Sequence, residues 1–365
     1  TMPTTRTFSK AFSAGEISPE MFGRIDDAKY QQGSAKMRNF IAKPQGPAQN
    51  RPGFKFVKEV KDSTKATRLL SFTFNTVQTM VIEMGNTYFR FHTQGLTLLY
   101  NDGAAWNSGT NYTVGDIAKY SGTNYYAKTA HSNSQPPNAT NWYALPADMT
   151  YEIPSPYLEA ELFDLHYVQS ADVMTLVHPN HPPRELRRLG ATKWELKLID
   201  FGSPISAPGG VSVAAYIPSS ASINTDTYQA HEYVVTSIAA NLVDESAQSS
   251  SASVQNNIFV TGAKNTVTWN AVAAADRYRV YKNQGGIYGF IGETTATTII
   301  DDNIGPDFSV TPPIYENDFV GSGNYPGAVS YFEQRRVFAG TNNAPQNIWM
   351  TKSGTESNMS FGLPI

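Results

Sequence analysis

The stretch Arg68-Leu69-Leu70-Ser71-Phe72-Thr73-Phe74, followed by Thr79-Met80-Val81-Ile82-Glu83-Met84 and Tyr88-Phe89-Arg90-Phe91-His92, decides the fold class. Each piece has strand length and is rich in β-branched and aromatic residues. Alternation places Tyr88, Arg90 and His92 on one face and Phe89 and Phe91 on the other. Gly85-Asn86 suits a tight turn, and Leu96 to Tyr100 continues the meander. No crossover of a dozen residues separates the pieces, so they pair as antiparallel hairpins.

Outward from this run the texture changes twice. Residues 104–148 hold Trp106, Tyr112, Tyr120, Tyr125, Tyr126, Trp142 and Tyr143 with only Lys119 and Lys128 as cations. That predicts a compact three-stranded insert. Either its rings form its own small core, or they are a platform on which a carbohydrate stacks. Strand texture then resumes. Glu159 to Val168 suits a short helix or a strand, and Asp172 to Val177 is a strand that Pro179 ends. Pro182 and Pro183 keep the next connection extended, and Trp194 to Ile199 is the returning strand. Pro204 to Gly210 is a linker. Beyond it, His231 to Thr236, Thr266 to Trp269, Tyr278 to Tyr281 and Thr297 to Ile300 predict a small β-sandwich around one buried Trp. Asp244 to Ser253 is expected to be a mobile polar loop. The final strands, Val329 to Phe332, Arg336 to Gly340 and Ile348 to Met350, stop at Pro364-Ile365 without a closing element, so a partner sheet is expected elsewhere.

Composition sets the outer bounds. A chain of 365 residues predicts two or three domains. Charged residues are 16 %, against ~25 % in an average soluble domain. Gly and Pro, 27 and 22 residues, exclude a coiled coil. Cysteine is absent, which excludes disulfides, thiol nucleophiles and Cys-based zinc sites. No apolar window predicts a spanning helix or a signal peptide, and Thr1 before Met2 reads as an addition ahead of the natural start. Residues 1–60 are basic, with Arg6, Lys10, Arg24, Lys29, Lys36, Arg38, Lys43, Arg51, Lys55 and Lys58 against five acids. Such an arm meets nucleic acid or an acidic partner surface, or docks as an extended segment on a neighbouring subunit.

Few residues invite chemistry. His178 and His181 have a His-x-x-His spacing that seeds a metal site if His166 or Asp172 adds a third ligand; a proline-stiffened loop is the plainer expectation, and no metal is assigned. Glu159, Glu161 and Asp164 are the carboxylates to consider for glycoside hydrolysis. Asp301 and Asp302 lack the spacing of an EF-hand and predict a β-turn. No phosphate-binding glycine loop and no Gly-x-Ser-x-Gly elbow occurs. No catalytic residue and no cofactor is assigned.

The text Phe12-Ser13-Ala14-Gly15-Glu16-Ile17-Ser18-Pro19-Glu20-Met21-Phe22-Gly23-Arg24-Ile25-Asp26 resembles the opening of the tail tubular protein B family, the nozzle proteins of short-tailed bacteriophages. The likeness returns in Lys36-Met37-Arg38-Asn39-Phe40, in Arg51-Pro52-Gly53-Phe54, in His178-Pro179 with Pro182-Pro183-Arg184-Glu185-Leu186, and in Ser330 to Gly340, which includes Arg335, Arg336 and Phe338. The resemblance implies a non-enzymatic virion protein made in the host cytoplasm. It implies a hexameric ring under the portal and adaptor, near tail fibres or tailspikes, that continues the channel for packaged double-stranded DNA. It also implies a β-propeller core, truncated here at its C-terminal side. Residues 104–148 resemble a chitin-binding-type carbohydrate module, which implies glycan contact through Trp106, Tyr126 and Trp142. Residues 211–312 resemble a fibronectin type III or immunoglobulin-like module.

The resulting expectation is a mainly-β chain with a partial β-propeller core. Its parts are an arm and propeller strands (1–103), the carbohydrate-binding-like insert (104–148), propeller strands (149–208), an immunoglobulin-like β-sandwich (209–312) and a last set of propeller strands (313–365). The expected role is a tail nozzle that retains and ejects DNA. The alternatives are a tail protein binding host polysaccharide and a tail-associated glycan hydrolase.

Overall fold

A computed structural model describes residues 9–75, 79–219 and 225–363. Arg6, the Thr1-Met2 start and the Pro364-Ile365 end lie outside the described residues. The chain divides into two compact units, Thr1–Lys58 and Glu59–Ile365.

The first unit is built from very short pieces. Gly15–Glu16 pairs in parallel with Gly33–Ser34, and Phe40–Ala42 pairs with Ala48–Asn50 in a small hairpin. Between them, Pro19–Met21 forms a 3-10 turn with Ser18 as its cap, and Ala28–Gln31 forms a single helical turn capped by Asp27. Gly15 has φ +68°, a conformation costly for any residue with a Cβ.

In the second unit the deciding stretch forms the expected meander. The sheet runs Glu152–Pro154, Tyr88–Thr93, Thr79–Gly85, Arg68–Thr73, with Leu96–Thr97 also on Tyr88–Thr93. The turn is Asn86-Thr87, one residue beyond the expected pair, with Thr87 at φ +66°. A second antiparallel meander joins His166–Ser170, Val173–His178, His181–Gly190 and Lys193–Leu198 in chain order. Pro182 and Pro183 therefore lie inside a strand rather than in a connection. The largest core draws on both sheets: Phe72, Ile82, Phe89, Phe91, Met174, Leu176, Leu186 and Trp194. Trp194 stacks on Phe91 at 4.3 Å between ring centroids and meets Phe72 edge-on at 4.9 Å.

The insert has more strands than expected. Trp142–Ala144, Thr123–Ala127, Ile117–Tyr120 and Ala104–Ala105 form a four-stranded sheet, and Asn111–Tyr112 pairs with His131–Ser132. Gly103 lets the entering chain touch that sheet, because a Cβ there would lie 2.5 Å from the Ile117 carbonyl oxygen.

Residues 209–312 contain a three-stranded sheet, Ser212–Tyr216, Lys264–Thr268, Thr298–Asp301, and a four-stranded one, Ala252–Asn256, Gln229–Ala239, Ala275–Gln284, Ile287–Thr294. Tyr233, Val235, Val267, Val280 and the expected buried Trp269 form the apolar cluster between them. The segment expected to be a mobile loop is tied down instead. Glu245, Ser246 and Ser249 are buried, and the Glu245 carboxylate accepts from Thr236, Tyr281 and Arg279. The final strands, Ala328–Phe332, Arg335–Ala339 and Ile348–Met350, form a three-stranded sheet. Phe338 is fully buried in a cluster with Val177, Ile199, Phe201 and Phe319, so the awaited partner comes from residues 177–201 and 319.

These observations correct the expected fold. The mainly-β character holds, but among the described residues the strands form several separate open sheets, and none closes into a propeller, a barrel or a curled immunoglobulin-like sandwich. The physical reason lies in connectivity. Most strands pair with a close neighbour in sequence, and each apolar face is covered by an adjacent sheet. The main cores are buried without the strands closing around a common axis. Among the described residues, no helix is long and apolar enough to cross a membrane.

Candidate interaction surface and polar clusters

The arm is unusual in what it leaves uncovered. Within residues 9–58, Gly46 alone is buried. Phe54 is 87 % exposed, Phe56 75 % and Ile25 70 %. Lys10, Phe12, Lys36, Arg38, Phe40 and Pro47 line a cleft of about 770 Å³ in the same unit. Its polar bonds are local. The Asp27 carboxylate accepts from Lys29 N at 2.8 Å, Glu16 accepts from Met37 N at 2.8 Å, and the Arg51 guanidinium lies 4.2 Å over the Phe54 ring. Residues 1–58 carry ten Lys and Arg against four Asp and Glu, a net +6; with −3 for the whole chain, the remainder carries −9.

The family-like positions fall in both units. Pro19 opens the 3-10 turn, Arg24 pairs with Asp26 at the surface, Asn39 takes φ +62°, and Arg38, Arg51, Pro52 and Gly53 are not buried. Arg335 donates to the Thr351 carbonyl at 3.0 Å. Arg336 is fully buried and pairs with Glu185 at 2.7 Å and with Glu356, tying the last sheet to the strand that carries Glu185.

Trp106 is half-buried, while Tyr126 and Trp142 are buried at 2 % and 3 % exposure. Both tryptophan Nε1 atoms donate to the Ser134 carbonyl, and Trp142 packs edge-on against Tyr112 at 5.0 Å and His131 at 4.6 Å. Tyr126 leaves the insert's own core: its ring joins the main core, and its hydroxyl donates to the Trp194 carbonyl at 2.7 Å. The three rings are thus not arrayed on one open face.

His178 and His181 do come together, with Glu161 as the third group; neither His166 nor Asp172 joins them. Their potential ligand atoms lie within 4.8 Å of one another. The Glu161 carboxylate accepts from Leu158 N at 2.9 Å and meets His181 Nε2 at 2.8 Å. Burial alone would raise the Glu161 carboxyl, but the Leu158 amide, His181 and Asn180 outweigh it and hold it below its ordinary value. His178 Nδ1 accepts from Asn180 N at 3.1 Å, and burial pushes this imidazole down. Two imidazoles and a carboxylate are a donor set suited to zinc. In the protein as it stands the same atoms latch the 178–181 turn to the 159–161 turn. Of the other carboxylates considered for hydrolysis, Glu159 accepts from Ala66 N at 2.6 Å and Asp164 is exposed.

Sequence reading missed a buried polar cluster around Glu152. Glu152, fully buried, accepts from Arg90 at 2.8 Å, from Lys61 and from Tyr143. On the same sheet Glu83 accepts from Tyr88 at 2.7 Å and meets His92 at 3.0 Å. The signal was available: an acid inside Met80-Val81-Ile82-Glu83-Met84 must find partners if the strand is covered. Asp301 accepts from Asn303 N and Ile304 N and pairs with Lys282 at 2.8 Å, the expected turn with a buried ion pair added.

No family model matches this sequence, and no curated protein matches it.

Proposed function

We propose that this protein is a structural subunit that assembles with copies of itself through its N-terminal arm, in a ring of the kind formed by phage tail nozzle proteins. The observation that carries the reading is the arm. A segment with one buried residue has no core to stabilise it, and it leaves Phe54, Phe56 and Ile25 largely open to solvent. Its net +6 complements the −9 of the remaining chain, so the acidic body of a second copy is a fitting partner. The resemblance in Phe12 to Asp26 supplies the finer reading: a ring beneath portal and adaptor, in the virion tail, passing double-stranded DNA. Contact with that DNA would be to phosphates and without base readout.

The test is the mass of the full chain in solution by light scattering, beside F54S/F56S. The expected result is a closed oligomer that dissociates in the variant and loosens at high salt. A wild-type chain that stays monomeric with portal and adaptor proteins present would refute the reading.

A further inference from the structure

Between the insert and the main sheets lies a cleft of about 320 Å³, lined by Val114, Tyr126, Lys128, Ser155, Arg184 and Leu196 among others. That volume is at the small end of ligand pockets, roughly 300–1,000 Å³. Its chemistry is unbalanced. Arg184 sits in the strand His181–Gly190, half-buried, paired through its backbone to Leu176 and Leu198, and its side chain makes neither an ion pair nor a hydrogen bond among the described residues. Its Nε is fully buried without a partner, as is the Ser155 hydroxyl on the same cleft. The hydroxyl of buried Tyr157 is likewise unpartnered. Burial disfavours the charged form of Arg184, and only Tyr157 offsets this. The other cation, Lys128, donates to the Ala139 carbonyl at 2.8 Å. The buried charges singled out above all have partners: Arg90 and Arg336 have carboxylates, and Lys282 has Asp301. A guanidinium stays protonated at any ordinary pH, so a half-buried one without a protein partner is left able to take an anion with both terminal nitrogens.

We propose that this cleft binds a small oxyanion, a carboxylate or phosphate carried on a body of about monosaccharide size, with Arg184 as the fork that grips it. The planar guanidinium matches either group with two parallel hydrogen bonds. Val114 and Leu196 supply an apolar wall for the body of the ligand.

The test is calorimetry on the full chain with three probes sharing one ring: glucuronate, glucose 6-phosphate and glucose. The expected result is binding of one or both charged probes, which tells carboxylate from phosphate, and none of glucose. R184M should weaken that binding by roughly tenfold to a hundredfold. R184K, which keeps the charge and loses the fork, should fall between. Thermal melting guards against a folding artefact. Without ligand, R184M should melt no lower than wild type, because it replaces an unpaired charge by an apolar chain of similar length. Equal binding of glucose, no binding of either anion, or anion binding unchanged in R184M would each overturn the proposal.

Discussion

The arm and the body are made by different physics. Residues 9–58 are shaped by local chemistry: Ser18 and Asp27 cap short turns, and the strands are two or three residues long. The body is shaped by burial, with strands as long as Gln229–Ala239 and rings stacked around Trp194. Caps and turns give a chain a shape, but each contributes only about 1 kcal/mol, while a buried aromatic contributes several times that. The arm therefore has form without stability of its own.

The sharpest test of that contrast is a matched truncation. W194A should cost the body about 3–5 kcal/mol in urea unfolding, and F54A should cost the isolated chain no more than ~0.5 kcal/mol. Similar losses would erase the distinction. Next comes R336A, which leaves half-buried Glu185 with only Arg187 at 3.9 Å and should cost about 3 kcal/mol, whereas R336M should recover part of it; equal losses would place the contribution in packing alone. Y126F removes one buried hydrogen bond between insert and frame and should lower stability by ~1 kcal/mol, read as a shift in melting temperature.

The pH response belongs to the body as well. His178 and His231 are both pushed below the ordinary value of 6.5, first of all by burial. The unfolded chain then takes up protons before the folded one does. Their contribution to stability is fully present above pH 6.5 and declines as pH falls through the depressed folded values. Urea midpoints between pH 7.5 and 5 should fall, and H178N should flatten the slope; an unchanged slope would remove His178 from the account. The smallest effect expected on unfolding is that of F54S/F56S, a melting temperature within error of wild type when both chains are diluted to monomers, so that association adds nothing to either. A lowered one would mean that the arm stabilises the single chain.

Much of this was legible in sequence where periodicity and burial agree. Phe89 and Phe91 alternate and are buried, Trp269 is the core tryptophan it was read to be, and the strand before Pro179 ends at His178. What failed was long-range. Nothing near Arg336 announces Glu185, which lies 151 positions away. Glu161 reaches His181 across 20 positions, and the His-x-x-His spacing does not point to it. Closure was the other failure. Strand texture marks where strands form, but whether sheets join around an axis depends on which apolar face covers which, and no local pattern encodes that. The aromatic insert shows the same limit: stacking platforms and small cores use the same residues, and burial alone separates them.

One feature of the insert reaches beyond its own packing. Tyr126 donates to the Trp194 carbonyl, Tyr151 receives the Trp194 amide at 2.9 Å, and Lys193 pairs with Asp116 of the insert at 2.7 Å. The segment is thus not a portable cassette. Excising it for expression alone, or grafting it onto another scaffold, would carry off part of the host's interior and leave Trp194 facing water. Genetic exchange at this locus should travel in blocks that include the strand from Lys193 to Leu198, and a swap confined to the insert should yield insoluble chains.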